Sequence, residues 1–413
     1  MTCNKKLSKN DQSCQHCLVA VIFRLKTHIP WFIIINTSGG KMTRKLICLS
    51  CVFLFLLALV SCATGGLSAT SDPSSAVYSG VREEKPIYTY NVLEEKYQNP
   101  AGVYTIPWRE NAVELAKQTN TIRYYFMSSE KQTIAEKTGP KFGDSCLIVF
   151  PDGTTMLVDG GMSGYTATLM KNLELLGIEK LDYVLLAHMH DDHYGALWST
   201  SGVMRNIPVD TFIWSGAYNT TEGIDARLKS ILASNGIKDV IVQKGDSMQI
   251  GDVLIEFYGP VSEEVKGKFL QETTLNNNSI VMKITFGDFK ALFSGDLYSD
   301  GEYKVLANNE EGVLDVDFLK ANHHGRDTSN SKEWGAATTP RVVVGTSGNP
   351  MDTTPYGWYS KIGARVFCDS LDGYVRVVSD GYNCELTTSR PRETNTFDNF
   401  DKLAEQVYAR INE

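Results

Sequence analysis

The sequence predicts an α/β protein in which helices cover a pair of β-sheets. Three observations carry that expectation. Strand-like segments come in groups broken by helical periods, the alternation occurs twice along the chain, and no GxGxxG follows the first strand and no P-loop occurs. The 413 residues suffice for one large domain or two ordinary ones. With 42% apolar and 21% charged residues, the composition is that of a folded globular chain rather than a disordered one.

The N-terminus reads differently. Met42-Thr43-Arg44-Lys45 is basic, and the 16 residues "LICLSCVFLFLLALVS" that follow carry no charge. That length suits the apolar core of a secretory signal better than a membrane span, which needs roughly 20 residues. The run ends in Leu59-Val60-Ser61-Cys62, a spelling that resembles the bacterial lipobox. Residues 42–61 are therefore expected to be a lipoprotein signal peptide and Cys62 the lipidated first residue, with an uncleaved anchor helix as the rival reading. Either way, the rest of the chain is expected outside the cytoplasmic membrane, held there through its N-terminus. Residues 1–41 precede a complete signal, and "SGGKM" (38–42) is what a purine-rich ribosome-binding site before an ATG spells when translated. Met42 is thus expected to be the true start. Arg24, Lys26, His28 and Pro30 speak against a membrane helix within 1–41.

Eight of the 40 Lys/Arg and one of the 48 Asp/Glu lie in residues 1–61, so the remainder carries a net charge of −15. Such a surface disfavours free nucleic acid, whose non-specific binding runs on phosphate neutralisation. Of the nine cysteines only Cys62, Cys146, Cys368 and Cys384 lie beyond residue 61. That is too few for a disulfide framework or a thiolate zinc site. Cys368 and Cys384 fall in neighbouring strand-like segments, either as a disulfide or as small core residues.

Residues 62–120 read as a Gly/Ser/Thr-rich tether and an N-terminal extension, with one helical stretch at 109–118. The organised domain is expected at 121–390. "TIRYYFM", "SCLIVF" and "GTTMLVDGG" read as strands, the last two joined by a Pro151-Asp152-Gly153 turn. Residues 166–177 place Leu169, Leu173 and Leu176 at helical spacing before a stop at Gly177. "LDYVLLA" is a buried strand, and 225–236 is a helix again closed by glycine. "VIVQ", "DVLIEFYGP", "SIVMKITFG" and "FKALFSGD" follow as strands, then a helical piece at 303–308, strand "VDFLKAN", a helix at 332–337 and strand "RVVVGTS". "ARVFCDS", "GYVRVVSDG" and "NCELTTS" read as a closing meander, and 391–413 as a C-terminal helix with Leu403, Val407 and Ile411 on one face.

The chemistry concentrates behind "LDYVLLA". "HMHDDH" puts His188, His190, Asp191, Asp192 and His193 into six positions of a chain with seven histidines. Neutral imidazole and carboxylate are what Zn²⁺ takes when thiolate is absent. His188 and His190, two apart in an extended segment, point the same way. A bend beyond them would aim Asp192 and His193 at a second ion. Burying all these groups without partners is too costly for a purely structural cluster.

"HMHDDH" resembles the HxHxDH signature of the metallo-β-lactamase superfamily. Asp159 in "MLVDGG", Asp296 in "FSGDL" and His323/His324 in "LKANHHG" match its other stations in order. "FGDSCLIVFPDGTTMLVDGG", "NNNSIVMKITFGDFKALFSGD" and "DFLKANHHGRDTSNSKEW" resemble the extracellular hydrolase domain of the ComEC competence family and its free-standing relatives over residues 121–388. The resemblance implies a four-layer αββα sandwich with two Zn²⁺ ions, Mn²⁺ being an alternative. It further implies His188, His190, Asp192, His193, Asp296 and one or both of His323 and His324 as ligands, with Asp159 supporting them from behind. Two departures stand out. No histidine occurs from Tyr194 to Asn322, so the first ion lacks its usual third imidazole, and Arg326 stands where the branch usually shows serine. Asp192, His323, His324 and Arg326 are the candidate catalytic groups: a proton donor for the leaving group from the histidine that is not a ligand, and a guanidinium that either grips an anion or lies in a surface loop. Tyr194 and Trp198 either stack on substrate or pack in the core, Asn276–Asn278 either shape the rim or form a turn, and "TSNS" (328–331) either contacts an anion or caps a helix.

The expected function is that of a lipid-anchored extracellular hydrolase using a zinc-bound hydroxide, with a phosphodiester as substrate. The rival readings are hydrolysis of an ester, lactone or lactam carbonyl, and a non-catalytic surface binding protein with a degenerate metal site.

Overall fold

The computed structural model describes residues 19–23, 31–35, 88–92, 105–127, 143–262, 265–346 and 351–389. The signal peptide, Cys62, the tether and the C-terminal helix of the sequence reading lie outside the described residues. Val19–Phe23 (β1) and Trp31–Ile35 (β2) pair as an antiparallel hairpin within a unit of their own, Met1–Ser79.

The second unit, Gly80–Glu413, holds two large sheets. The first has nine strands in the spatial order β10 (Lys238–Ile241), β8 (Val209–Trp214), β7 (Leu181–Leu186), β6 (Thr155–Val158), β5 (Cys146–Val149), β4 (Ile122–Phe126), β19 (Val375–Ser379), β20 (Cys384–Thr388) and β3 (Tyr88–Val92). The second has seven: β11 (Ser247–Ile250), β12 (Val253–Gly259), β14 (Val281–Phe286), β15 (Phe289–Phe293), β16 (Phe318–Lys320), β17 (Val342–Gly345) and β18 (Arg365–Cys368). A short parallel pair, β9 (Tyr218–Asn219) with β13 (Phe269–Leu270), lies apart from both.

Side-chain alternation along each strand explains the layering. In β4 to β6, Tyr125, Leu147, Val149 and Leu157 point to one face, where they meet Ala112 and Ala116 of α1 (Ala112–Thr119) and Leu169 and Leu173 of α2 (Thr166–Leu175). The alternate residues Tyr124, Phe126, Ile148 and Met156 point the other way, onto Met282, Ile284, Ala291 and Phe293 of the second sheet. The outer face of that sheet, with Val281, Leu292, Leu319 and Val343, is covered by Val305, Trp334, Tyr356 and Tyr359 from flanking helices. Three apolar interiors thus separate four layers, an αββα sandwich. Because both sheets are covered on both faces, their strands read as near-continuous apolar runs. Tyr124, Phe126, Phe293 and Phe318 interlock between the sheets with ring centroids 5.6–6.2 Å apart. Each such ring, fully buried, contributes roughly 1.5–3 kcal/mol.

The closing meander is corrected. β18 belongs to the second sheet, whereas β19 and β20 return to the first, so the chain crosses between sheets after Cys368. Cys368 and Cys384 consequently sit in different sheets without a disulfide between them, and both are buried, as is Cys146. Strand β3 and helix α1, upstream of residue 121, join the same sheet and core as the rest. Strand β8, helix α3 (Asp191–Trp198) and helix α9 (Thr353–Lys361) also go beyond the sequence reading. Among the described residues no helix is long and apolar enough to cross a membrane.

Candidate metal centre

Four functional loops leave the carboxyl ends of parallel strands: β6 and β7 in the first sheet, β15 and β16 in the second. Strand ends are where loop geometry is free of the ladder, and ligands commonly bind there. β6 delivers Asp159, β7 delivers His188 to His193, β15 delivers Asp296, and β16 delivers His323 and His324.

After β7 the backbone bends at Ala187 to Met189, where the His190 amide donates to the His188 carbonyl at 3.1 Å, unlike the extended segment expected from the sequence. His190 is the N-cap of α3, so Asp191 and Asp192 occupy the first helical turn. A helix N-terminus favours negative charge there. Gly195 lets this helix lie on the Met162–Ser163 backbone, because a Cβ would stand 2.4 Å from the Ser163 nitrogen. Gly295, at φ +53°, turns the chain into Asp296 where a Cβ would meet that of Ala187 at 2.8 Å. Asp159, His323 and His324 hold left-handed backbone at φ +56°, +44° and +58°, and such conformations persist only where surrounding contacts enforce them. Those contacts are visible. Asn330 accepts from the Asn322 amide at 2.9 Å and donates to its carbonyl at 2.8 Å, while buried Glu302, from α7 (Ser299–Asn308), accepts from Asn322 Nδ2 at 2.7 Å and the Ser331 amide at 2.8 Å.

Asp192, His193, Asp296 and His324 offer ligand atoms that all lie within 4.8 Å of one another. His193 Nδ1 donates to Asp159 Oδ2 at 2.9 Å, and Asp159 Oδ1 accepts from the Ala187 amide at 2.8 Å. His324 Nδ1 donates to the Thr346 carbonyl at 2.9 Å and to Asp144 Oδ1 at 3.1 Å. Both outer nitrogens therefore carry the proton, and both Nε2 atoms face carboxylates: His193 stands 3.2 Å from Asp296 Oδ2, and His324 stands 3.1 Å from Asp296 Oδ2 and 3.2 Å from Asp192 Oδ2. His193 Nε2 and Asp296 Oδ1 are buried without a hydrogen bond. An imidazole fixed from behind by a carboxylate, with its inner nitrogen left over, is the arrangement that fits a divalent cation.

The electrostatics follow. Burial disfavours charge on His193 and His324, but Asp296, with Asp159 beside the first and Asp144 beside the second, pushes both well above the ordinary imidazole value. Burial pushes Asp192 and Asp296 up, yet the facing imidazoles hold both below the usual carboxylate range. The remaining pair behaves oppositely. His188 Nε2 and His190 Nδ1 meet at 2.9 Å, while His188 Nδ1 and His190 Nε2 have no hydrogen bond. Burial, reinforced by the nearby His193, pulls both below the ordinary value.

His323 does not join the four-residue group. Its Nδ1 is bonded to Thr328 Oγ1 and its ring lies 4.8 Å from that of Tyr298. Arg326, about one-third exposed, stands 3.5 Å from Asp352. A cleft of about 580 Å³ opens over the centre, and His190, Asp192, Asn276, Asp296, His323, His324 and Arg326 are among its walls. Tyr194 and Trp198 stack on each other at 4.3 Å in the core, and Ser331 caps α8 (Lys332–Thr338) by accepting from the Trp334 amide. Two residues were missing from the sequence reading. Asp144, in the quoted "FGDSC", supports His324, and buried Lys320, in "LKANHHG", bonds Asp144, donates to the Gly295 carbonyl at 3.1 Å and stands 3.7 Å from Asp296 Oδ1. A lysine inside an apolar strand was the available signal.

Fold and site together define an αββα domain with a histidine–carboxylate centre suited to metal. A profile described as "Metallo-beta-lactamase superfamily" matches residues 138–199. ComE operon protein 3 of Bacillus subtilis (strain 168) is 24% identical over 223 residues, 50% of this chain and 27% of that protein. Competence protein ComA of Neisseria gonorrhoeae is 22% identical over 201 residues, 49% of this chain and 24% of that one. The alignments thus span about a quarter of either relative. The metallo-β-lactamase fold protein YhfI of Bacillus subtilis aligns at 14% identity with a TM-score of 0.38, over 60% of this chain and 96% of its own. The chain is thus similar to the metallo-β-lactamase superfamily and to ComEC-type proteins within it, and it carries a candidate site for divalent metal.

Proposed function

We propose that the chain is a zinc-dependent phosphodiesterase tethered outside the cytoplasmic membrane through lipid on Cys62. The observation that carries the chemistry is the group Asp192, His193, Asp296 and His324, with Asp159 and Asp144 fixing the two imidazoles from behind. These residues would hold one ion, and His188 and His190 would contribute to a second. Zn²⁺ in such a site polarises a phosphoryl oxygen and lowers the pKa of water.

The other roles belong to side chains. Arg326 is the one Lys or Arg among the cleft-lining residues described, and a guanidinium suits the paired oxygens of a phosphodiester. His323 is the proton donor to the leaving oxygen. Burial holds His323 below the ordinary imidazole value, so its protonated form is a strong acid but scarce at neutral pH. An incoming phosphate anion raises that population. The net charge of −15 beyond residue 61 favours a small or uncharged-polymer phosphodiester over free nucleic acid.

One preparation tests the reading. Full-length chain extracted from membranes with detergent is expected to carry an acyl group at Cys62 by mass spectrometry. It is expected to hydrolyse bis-p-nitrophenyl phosphate in a manner abolished by chelator and restored by Zn²⁺ or Mn²⁺. Turnover of nitrocefin alone would overturn the phosphodiester assignment in favour of carbonyl hydrolysis. Absence of bound metal would favour a binding protein.

A further inference from the structure

We infer that the side-chain carbonyl of Asn276 is the third protein ligand of the His188/His190 metal site. The inference rests on the proposed metal-dependent function and names a group that neither motif matching nor the four-residue cluster identifies.

Two imidazoles do not complete a zinc site, which takes three or four protein donors. His190 opens to the cleft, and its Nε2 has no hydrogen bond. The sequence supplies no further imidazole nearby, since no histidine occurs from Tyr194 to Asn322. The same cleft wall holds Asn276, at the end of α6 (Glu272–Asn276). Asn276 is 1% exposed, and its Oδ1 is buried without a hydrogen bond. Buried amide oxygens are ordinarily paired, so an orphan in the cleft wall that also holds His190 calls for a partner. A cation held by His188 Nε2 and His190 Nδ1, which meet at 2.9 Å, is a partner that satisfies this oxygen, because an amide carbonyl offers only lone pairs.

The surroundings fix that orientation. The Asn276 side chain interacts with the Tyr298 hydroxyl, and because its Oδ1 has no partner the amide NH₂ is the group turned to that hydroxyl. Glu272, one helical turn earlier, lines the same cleft and exerts its charge on His190. A carboxylate at the mouth favours cation entry. The α6 position is held from both sides: the Asn278 side chain bonds the Thr274 carbonyl at 2.8 Å, and the Asn277 side chain accepts from the Gly301 amide at 3.0 Å. An oxygen donor here also fits an ion harder than zinc, such as Mn²⁺.

The test is a calorimetric zinc titration of the metal-free full-length chain, with Co²⁺ absorption spectra as a second readout. Wild type is expected to take up one tight and one weaker equivalent. Asn276→Ala should weaken the second at least about ten-fold and leave the first in place, by analogy with losses at ligand-supporting positions. Asn276→Asp, which keeps an oxygen at that point, should retain or tighten it, and Asn276→His should tighten it and shift the Co²⁺ spectrum. The aspartate variant also answers a folding defect in the alanine one. Unchanged second-site affinity across the three variants would overturn the inference alone, as would a wild type that binds only one ion. A wild type that binds none would overturn the proposed function as well.

Discussion

His193 and His324 each have the outer nitrogen held by a carboxylate anchored elsewhere in the fold, whereas His188 and His190 make their ring hydrogen bond only to each other. The first pair faces Asp296, with Asp192 beside His324, and is pushed towards protonation; the second is pushed away from it. One half of the centre is thus preorganised by a second ring of charge, and the other has no carboxylate hydrogen-bonded to its imidazoles. The difference teaches that ligand count alone does not rank two metal sites. An imidazole whose tautomer and plane are set in advance loses less on binding an ion than one that must settle on arrival.

The largest expected effect breaks that asymmetry directly. His324→Ala removes the meeting point of Asp144, Asp192 and Asp296, and should lower kcat/KM for bis-p-nitrophenyl phosphate by roughly 10³-fold, several kcal/mol of charge stabilisation at 1.36 kcal/mol per tenfold. His188→Ala should lower it about 10- to 100-fold. Equal losses in steady-state kinetics would show that the two halves act as one unit.

What the sequence made legible was the half with a repeated signal. Five His/Asp in six positions at a strand end stand out against a chain with seven histidines, and the apolar run of β7 marks the strand that carries them. Single residues were harder. Asp144 lies 180 residues from His324, and nothing in "FGDSC" says what it faces. Sheet membership was also hidden, because alternation reports a face and not a neighbour. "ARVFCDS" and "GYVRVVSDG" look like hairpin partners, yet the strands they contain belong to different sheets. Helix α9 carries Pro355 and Gly357, which lower its intrinsic propensity, although proline in a first turn forfeits no intrahelical bond.

Lys320 sharpens the comparison at the next scale. Its ammonium is buried between Asp144 and Asp296, on the preorganised side. Lys320→Met leaves Asp144 buried without its cation, and breaking one partner of a buried pair destabilises by about 3–5 kcal/mol. The denaturation midpoint should fall accordingly, and Asp144→Asn added to Lys320→Met should recover part of the loss, as contacting residues do in a double-mutant cycle. Additive losses would mean that Lys320 and Asp144 act independently, and the inner half would then owe its order to Asp159 alone.

Proton release gives the smallest and most selective comparison. In the metal-free chain, His193 and His324 titrate above the ordinary imidazole value of 6.5, so the stability they contribute is fully present below 6.5 and lost as pH rises through their folded values. His188 and His190 titrate below 6.5, and their neutrality destabilises the fold only as pH falls under that value. A metal ion must displace whatever protons its imidazoles carry. At pH 7 the tight equivalent should therefore release up to about two protons and bind more strongly as pH rises, while the weaker one should release about none and show a flat profile. Calorimetry in two buffers of different ionisation enthalpy reads both counts. Equal proton release at the two sites would mean that the carboxylates behind His193 and His324 do not set their protonation, which removes the physical basis for ranking one half above the other.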